Sequence, residues 1–487
     1  MAMKYHALIF SCNKTLVQRL AGGYRIATFL REDHDWDVEV IEYAISWTFE
    51  ELKEICKMRI TRETKFIGFS TLFYHWEDNL DLLVNWLKTN HPDLPIIIGG
   101  PQCQRIETAA DYFVNGYGEM AIVELLKHIY GNSTEEIKLD PDWLKFGKKV
   151  IRQEYYPSYP LKSLLIKYED RDYILEDEWL PIEFSRGCIF ECKFCNFPIL
   201  GVKSDYSRDA EDFERHVKDI YDRFGSKGYY VADETFNDSI PKMKKFADVI
   251  DRLNFRPIFS GFLRADLIVA RKDDRELLTR IGFFGQYYGI ETVNPETGKI
   301  IGKGMHPDKL LPGILELRDY FKKHGPYRGE LSLVVGLPKE TEETAAAGVE
   351  WVLNNWRGEC AHIWPFEIPA DPMYDKPNII SQNKEKYGYY ASNAQSYDNT
   401  ILDEVKHVTK TFNWQNEHFN FSRAQEFCKE ANKKISESSD NRVGAWSMGD
   451  YMPYYKDIYK VLELPHRSPI PQIETIADDY KNKKLNS

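Results

Sequence analysis

Three of the chain's eight cysteines lie within eight positions of one another. They are Cys188, Cys192 and Cys195, spaced C-x3-C-x2-C, and no fourth cysteine or histidine follows at close range. Structural zinc sites and iron–sulfur clusters are usually held by four protein ligands. Three thiolates on a four-iron cluster leave one iron open to a substrate or cofactor. A zinc site completed by a distant residue, or a set of buried thiols, is the alternative interpretation.

The pattern around these cysteines predicts a strand that leads directly into a loop. Between residues 180 and 375, short apolar runs alternate with stretches of helical spacing. Six successive strand–helix units predict a partial TIM-type barrel, with its site at the carboxyl ends of the strands, where the cysteine loop falls. The candidate strands are Pro181–Ser185, Tyr229–Ala232, Pro257–Phe262, Gln286–Ile290, Leu331–Val335 and His362–Ile368.

A second α/β pattern occupies residues 1–135. Its alternating strands and helices predict a doubly wound, Rossmann-like domain, whose ligands bind at the carboxyl ends of the strands. Residues 136–179 are rich in charge, proline and tyrosine, and are interpreted as a linker. Residues 376–487 are polar and aromatic, and predict a mainly helical extension with helices at Asp403–Thr411 and Ser422–Ser436.

Composition and charge indicate a globular protein and argue against a nucleic-acid-binding one. The 487 residues carry a formal net charge of −12 at pH 7, and 43% of them are hydrophobic. Several buried cores are therefore expected, whereas a nucleic-acid-binding surface, which needs clustered lysine and arginine, is not. We expect no secretory signal and no membrane span, because no apolar run approaches roughly 18 residues. The scattered cysteines outside the triad indicate reduced thiols and a cytoplasmic protein.

The cysteine triad resembles the cluster motif of the radical S-adenosylmethionine (SAM) superfamily. Its spacing matches, and Phe194 matches the aromatic residue before the last cysteine. The resemblance implies a 4Fe–4S cluster whose open iron chelates the amino and carboxylate groups of SAM. It implies reductive cleavage of SAM to a 5′-deoxyadenosyl radical, which removes hydrogen from an unactivated C–H bond in a water-excluding site. An electron donor such as flavodoxin or ferredoxin is implied as a partner.

Acidic residues at the end of the second barrel strand match the place where the superfamily contacts the SAM ammonium group. They are Asp233 and Glu234, in the run Y-V-A-D-E-T-F. A carboxylate facing an ammonium group is electrostatically favourable. The alternative is an acid that caps a helix or lies in its first turn.

Three further strand ends resemble segments of cobalamin-type radical SAM enzymes. The stretch from Ser260 to Asp266 resembles an R-A-D segment, in which Arg264 would meet the SAM carboxylate or pair with Asp266. The run G-I-E-T resembles the family's G-I-E-S, so Glu291 would face the SAM ribose or the substrate. Gly336 opens a turn similar to G-L-P-x-E-T, which would let the backbone approach the adenine.

Two glycine-rich turns resemble the end of a cobalamin-binding-type domain. Gly99 and Gly100 form the first turn, and Gly116, Gly118 and Glu119 form the second. In that family the glycines let the backbone approach the corrin and its nucleotide tail, as glycine permits. The D-x-H-x-x-G signature, which supplies a histidine to cobalt, is absent from this sequence. The resemblance therefore implies either cobalamin bound without a protein ligand, or a domain that does not bind it.

The resemblance implies a C–H modification within the cobalamin-binding-domain subfamily, such as C-methylation. A cobalamin-independent, epimerase-like enzyme that modifies peptides is the alternative, and it requires a thiol that returns hydrogen. Cys360, the free cysteine of the barrel region, is the candidate donor, although its position at the amino side of a strand favours an inert thiol. A non-catalytic metal-binding protein is the third interpretation. The substrate, a small molecule or a peptide, is not identified by the sequence.

Overall fold

The structure is a computed structural model. It describes residues 5–13, 19–72, 76–131, 136–157, 159, 165–172, 174, 178–195, 206–368, 378–392, 412–438 and 444–445. The described chain divides into two compact units, and the boundary between them falls after Pro181.

The first unit is built on a six-stranded sheet in the order β2-β1-β3-β4-β5-β6, with all neighbouring strands parallel. The chain order reverses between β1 and β3, and ligands of doubly wound folds bind at such switch points. The strands are β1 His6–Ser11, β2 Asp37–Ile41, β3 Thr64–Ser70, β4 Ile96–Gly100, β5 Tyr112–Asn115 and β6 Val150–Arg152. The helices are α1 Ala21–His34, α2 Phe49–Arg59, α3 Asp78–Asn90, α4 Glu119–Ile129 and α5 Pro141–Leu144.

The segment expected to be a linker contributes structure to the first unit. β6 lies within residues 136–179 and pairs with β5 as a sixth strand. Further along the same segment, the buried Glu178 accepts a hydrogen bond from Arg19 at 2.6 Å. Arg19 also donates to the backbone oxygen of Asp172 at 3.0 Å. These contacts fasten the segment to the core of the first unit.

The second unit contains a six-stranded sheet in the order β12-β11-β10-β9-β8-β7, so its strands lie side by side in chain order. Strands β8 to β12 pair in parallel. This is the partial barrel predicted from the alternation of strands and helices. The strands are β7 Leu180–Ile182, β8 Gly228–Val231, β9 Ile258–Leu263, β10 Phe283–Glu291, β11 Arg328–Val335 and β12 Cys360–Pro365. The helices are α6 Ala210–Phe224, α7 Ile240–Ile250, α8 Ala265–Ala270, α9 Asp274–Ile281, α10 Pro295–Ile301, α11 Pro307–His324 and α12 Glu342–Asn355.

An aromatic core holds the strand that precedes the cysteine loop. Phe184 is fully buried, and its ring centroid lies 4.6–5.2 Å from four other phenylalanine rings. Tilted and edge-on ring pairs of this kind add specific attraction to the burial of apolar area. The start of the cysteine loop is therefore anchored in a cluster of buried phenylalanine rings. The four rings belong to Phe213, Phe236, Phe246 and Phe259.

The described part of the C-terminal extension comprises α13 Ile379–Gln382, the short strands β13 Tyr390–Ala391 and β14 Trp414–Gln415, and α14 Phe421–Ser438. Helix α14 covers the edge strand β12, because the Asn432 amide bonds both the N–H and the carbonyl of Ile363. Paired edges are protected against unwanted association. The predicted helix Asp403–Thr411 lies outside the described residues. Among the described helices, none is long and apolar enough to cross a membrane.

Candidate active site

The cysteine loop follows β7 and is held by backbone contacts on both sides. The Lys193 amide donates to the carbonyl of Ile301 at 3.0 Å, and the Lys193 carbonyl accepts from Ile380 at 3.1 Å. A Cβ at Gly302 would lie 3.7 Å from the Cα of Cys192, so the chain after α10 passes close beside the loop. All three cysteines are partly exposed. The loop is thus a fixed support for three accessible thiols.

The two acids predicted at the end of β8 both bind the backbone of this loop. Asp233 is buried and accepts from the Phe184 amide at 2.8 Å and from the Ser185 hydroxyl at 2.5 Å. Glu234 accepts from the Gly187 amide at 2.7 Å. Burial raises the pKa of Asp233, and the nearby Lys242 ammonium opposes that rise. The structure therefore shows these carboxylates positioning the cysteine loop, and their contact with SAM stays a prediction.

Arg264 makes both kinds of contact that the sequence left open. Its guanidinium forms two hydrogen bonds to Asp266, at 3.0 and 2.6 Å, and a third N–H points to the sulfur of Cys192 at 3.5 Å. It also lies 4.1 Å from the ring centroid of Phe190. Burial is the largest influence and acts to raise the pKa of Asp266, but the hydrogen bonds and charge of Arg264, together with the charge of Lys303, lower that pKa overall. A permanent positive charge is thereby fixed beside a cysteine of the triad.

The backbone of Arg264 is held by a residue that the sequence did not single out. The buried Asn237 accepts from the Arg264 amide at 2.8 Å and donates to its carbonyl at 3.0 Å. An asparagine side chain can make such a reciprocal pair because it carries both a donor and an acceptor. Asn237 follows the predicted acidic run by three positions, and no feature of the sequence distinguishes it from a helix cap.

Glu291 lies at the end of β10 in a left-handed conformation, with φ of 69°. Its carboxylate is 3.3 Å from the ammonium of Lys303, which donates to the Gly289 carbonyl at 2.8 Å. The same ammonium lies 5.8 Å from the ring centroid of Phe194 in the cysteine loop. A non-glycine residue at positive φ persists only where its surroundings hold it, and such positions cluster at functional sites. Glu291, Lys303 and Phe194 thus form one group next to the triad.

Gly336 has a reason to be glycine that the sequence did not reveal. Its φ is 91°, and a Cβ there would overlap the indole of Trp414 in the C-terminal extension. Its carbonyl accepts from the hydroxyl of Tyr389 at 2.7 Å. Its amide donates at 2.8 Å to Glu340, which also accepts from Thr292 at 3.0 Å. The structure thus accounts for Gly336 by its contacts with the extension, and an adenine contact stays a prediction.

Two other predicted site residues, Ser260 and Cys360, lie within their strands and not at the carboxyl ends. Ser260 is fully buried, and its hydroxyl donates to the carbonyl of Ala445 at 2.5 Å. Cys360 is the first residue of β12, so this strand begins two positions earlier than predicted. Its sulfur is 3.3 Å from Nε2 of His362, which lies 3.1 Å from Glu330. Hydrogen bonds to Cys360 and Glu330 raise the pKa of His362 to about 10.

The glycines predicted to approach cobalamin meet protein atoms in the first unit. A Cβ at Gly100 would overlap Thr71, and one at Gly116 would overlap the side chain of Gln153. Gly118 packs on α1, and a Cβ at Gly99 would meet only ordinary contacts. The buried Glu119 pairs with Arg25 at 3.3 Å. Packing within the protein accounts for Gly100 and Gly116, so these contacts provide no separate sign of a corrin.

The donor set at the loop fits an iron–sulfur cluster. Three thiols on one loop, beside a fixed guanidinium, suit a group that binds thiolates. One zinc ion would hold three sulfurs at about 2.3 Å each and so within about 4.6 Å of one another. Among the described residues, three ligand atoms lie within 4.8 Å of one another in a different group, which consists of Glu330, Cys360 and His362. The three accessible thiols of the loop are the candidate ligands of an iron–sulfur cluster.

Comparison with known families agrees with this geometry. Residues 182–352 match the model of the Radical SAM superfamily. The matched segment runs from the end of β7 into α12, and it includes the cysteine loop and the ends of β8 to β11. The match therefore covers the part of the second unit that carries the site.

Curated relatives share part of the chain. An anaerobic magnesium-protoporphyrin IX monomethyl ester cyclase of Synechocystis is 26% identical over 255 residues, which cover 49% of this chain and 50% of the cyclase. An uncharacterised methyltransferase of Pyrococcus horikoshii is 23% identical over 350 residues, which cover 67% of this chain and 71% of the relative. The chain thus spans about half the length of the first relative.

A solved structure extends the similarity to both units. The radical SAM methyltransferase TsrM of Kitasatospora setae, solved with tryptophan and a SAM analogue, superposes with a TM-score of 0.63 at 14% identity. The superposition covers 90% of this chain and 89% of TsrM. TsrM has also been solved with cobalamin and a 4Fe–4S cluster bound. At this identity the likeness shows the fold alone, in which an N-terminal α/β unit precedes the unit that carries the radical SAM match.

Proposed function

This chain belongs to the radical SAM superfamily, and from that premise we propose that it cleaves SAM reductively at the cysteine loop and modifies an unactivated C–H bond of its substrate. We propose C-methylation as the modification, with cobalamin as a second cofactor. The substrate is a small molecule or a peptide, and reduced flavodoxin or ferredoxin supplies the electron. The proposed setting is the cytoplasm, because the described cysteines are all free thiols.

The observation that carries this proposal is the contact between Arg264 and Cys192. Three thiols alone are compatible with several metal groups. A guanidinium fixed by Asp266 and directed at one of these sulfurs at 3.5 Å adds a permanent positive charge to the site. Positive charge at this point stabilises an anionic group bound beside it.

The residues of this chain have distinct tasks in the proposed reaction. When bound, the cluster supplies an open iron for SAM and the electron that breaks its C–S bond. Cys188, Cys192 and Cys195 hold it, and the contacts of Asp233 and Glu234 keep their loop in place. Arg264 and Glu291, at the ends of β9 and β10, orient the carboxylate and ribose of SAM. Fixed orientation of reacting groups is the main contribution that a protein makes to such chemistry.

The likeness to TsrM supports methylation and cobalamin over the epimerase-like alternative. TsrM is a methyltransferase that binds cobalamin, and its fold covers both units of this chain. A hydrogen-donating thiol should lie near the carboxyl ends of the barrel strands. Cys360 is instead the first residue of β12, and its sulfur faces His362. The non-catalytic alternative is disfavoured because Arg264 and Glu291 lie next to the triad.

Anaerobic reconstitution with iron and sulfide tests the proposal. We expect about four iron atoms per chain, visible charge-transfer absorption, and formation of 5′-deoxyadenosine after reduction in the presence of SAM. Cys192→Ser should lose the absorption and the product. Cys428→Ala, at a buried cysteine of α14, should keep both. Wild-type protein that holds a cluster and fails to cleave SAM would refute the proposed activity.

Cobalamin binding and methyl transfer to the substrate are tested separately. Desalting after incubation with cobalamin should leave about one cobalamin per chain, detected by its spectrum. With SAM labelled in its methyl group, the label should enter the product. A product that instead gains deuterium from solvent, and loses this gain in Cys360→Ala, would select the epimerase-like reaction.

A further inference from the structure

A second group of ligand residues lies apart from the cysteine loop. We propose that Glu330, Cys360 and His362 form a binding site for one divalent transition-metal ion of the zinc type. The proposal concerns the strands β11 and β12, and it does not depend on the reaction proposed for the cysteine triad.

The three ligand atoms converge closely. The sulfur of Cys360 lies 3.3 Å from Nε2 of His362, and the same nitrogen lies 3.1 Å from Oε1 of Glu330. All three ligand atoms are within 4.8 Å of one another. Ligands bound to one zinc ion at about 2.0–2.3 Å are held at separations of this size. An ion can therefore be placed among them with small side-chain movements.

The sheet itself creates this arrangement. Glu330 pairs with Cys360 across the parallel strands, and Ser332 pairs with His362. Alternate residues of a strand share a face, and paired residues of adjacent strands lie side by side on it. Glu330, Cys360 and His362 therefore lie on one face of two hydrogen-bonded strands. Sites on strands hold their ligands more rigidly than sites on loops.

The geometry favours a metal over a nucleophilic triad. In a Cys–His–acid triad the acid and the thiol contact opposite nitrogens of the imidazole. Here the sulfur and the carboxylate both approach Nε2. One nitrogen carries at most one proton, so it cannot relay a proton between the two groups. Convergence of sulfur, nitrogen and oxygen on one point is the arrangement of a coordination site.

The donor types select the class of ion. A thiolate with an imidazole suits zinc and related transition metals, whereas magnesium and calcium prefer oxygen ligands alone. Three protein ligands leave a fourth position open, as in catalytic zinc sites. The His362 side chain is 41% exposed and the Glu330 side chain is 6% exposed, so an ion can enter from the histidine side.

The open position would face the same side of the sheet as the candidate active site. His362 and Ser332 lie in the row of paired residues that includes Gly289. The side-chain direction at Gly289 points to Glu291 and Lys303. On the other side of the group, the backbone at Gly444 approaches Glu330, and a Cβ there would come within 3.0 Å of the Cβ of Cys360. The site is thus bounded by protein at Gly444 and open along the sheet.

Zinc content and X-ray absorption of the full-length, cluster-reconstituted protein test this site. After incubation with one equivalent of Zn²⁺ and desalting, we expect about one zinc per chain with unchanged iron. The extended fine structure beyond the zinc absorption edge should give one sulfur ligand at about 2.3 Å and nitrogen or oxygen ligands at about 2.0–2.2 Å. No retained zinc, or a shell of three sulfurs that places the ion in the cysteine triad, would overturn the proposal.

Variants provide the second arm of the test. Cys360→Ser, His362→Gln and Glu330→Gln should each weaken zinc at least tenfold in competition with a chromophoric chelator. Cys428→Ser and His324→Gln, at a buried cysteine and an exposed histidine elsewhere, should bind like wild type. Wild-type affinity in His362→Gln would contradict the site. If a ligand variant fails to fold, the absorption spectrum of the wild-type protein decides.

Discussion

Arg264 combines at the residue scale two contacts that the sequence presented as alternatives. A guanidinium has five N–H donors in a planar fork, so it can bind Asp266 with two of them and direct another at Cys192. The contact with Asp266 fixes the orientation, and the orientation brings a positive charge to the cysteine sulfur. A lysine carries its donors on a single nitrogen, so it cannot hold both oxygens of Asp266 in a planar fork and also reach Cys192.

We therefore expect Arg264→Lys to retain iron but to slow SAM cleavage. Loss of a hydrogen bond to a charged group costs about 1.5–3 kcal/mol, which corresponds to about 10- to 100-fold in rate. Formation of 5′-deoxyadenosine in a single turnover is the measurement. Arg423→Lys is the matched control, because Arg423 forms a two-bond fork to Glu342, at 2.9 Å for each bond, between α14 and α12. Equal rates in both variants would show that Arg264 has no special role.

Glu340 is a second residue whose role only the structure reveals. It is buried between the ends of β10 and β11, and it accepts from Thr292 and Gly336. Burial raises the pKa of this carboxyl from 4.5 to about 8. Between these two values the folded protein keeps a proton that the unfolded chain releases. Stability from this group is therefore greatest below pH 4.5 and is lost as pH rises through about 8.

The corresponding prediction concerns Glu340→Gln. A glutamine can accept from Gly336 and donate to Thr292, so it should keep the contacts while removing the titration. Wild type should lose stability on the order of 2 kcal/mol more than this variant between pH 6 and pH 8.5, as measured by urea unfolding. Glu343→Gln, in the first turn of α12, should follow wild type. Parallel pH profiles for wild type and Glu340→Gln would disprove the assignment.

At the scale of elements, the turn after β11 joins the barrel to the extension. Gly336 provides positive φ and close approach to Trp414, and its carbonyl receives the Tyr389 hydroxyl. The tyrosine and tryptophan rings meet edge to face with centroids 5.2 Å apart. The same turn places Glu340 against the end of β10. One glycine thus determines how the short strand β14 packs at the end of the barrel.

Gly336→Ala should destabilise the second unit strongly, because the new methyl group meets both an unfavourable φ and the indole of Trp414. A glycine replacement at positive φ alone costs about 1 kcal/mol, and overpacking adds about 1–3 kcal/mol. Gly358→Ala is the control, since Gly358 has φ of 81° but no neighbour within 4 Å of a Cβ. Thermal melting should show the larger loss in Gly336→Ala. Equal losses would mean that Trp414 does not crowd this site.

At the scale of the whole molecule, the segment between the two α/β patterns belongs largely to the first unit. It adds β6 to the sheet and buries Glu178 against Arg19, with side-chain exposures of 2% and 1%. A buried charge is costly when its partner is removed. The segment is therefore held by an ion pair whose loss should destabilise the whole first unit.

We expect Glu178→Ala to destabilise the first unit by about 3–5 kcal/mol, because it leaves the Arg19 cation buried and unpaired by this carboxylate. Glu32→Ala removes an exposed pair with Lys167 and should change stability by about 1 kcal/mol or less. Thermal melting, together with limited proteolysis of residues 136–179, gives the comparison. If Glu178→Ala melts with wild type, the ion pair does not hold the segment.

The sequence by itself determined the two α/β patterns and the cysteine triad. The periods of strands and helices are local signals. The three cysteines share one short loop, so the chemistry of these cysteines can be predicted without knowledge of the fold. The tertiary structure decided which distant side chains meet: Gly336 with Trp414, and Glu330 with Cys360 and His362. The second meeting depends on the register of β11 against β12, in which Glu330 pairs with Cys360. A one-residue shift moves a side chain to the other face of a sheet, so such contacts cannot be predicted from spacing alone.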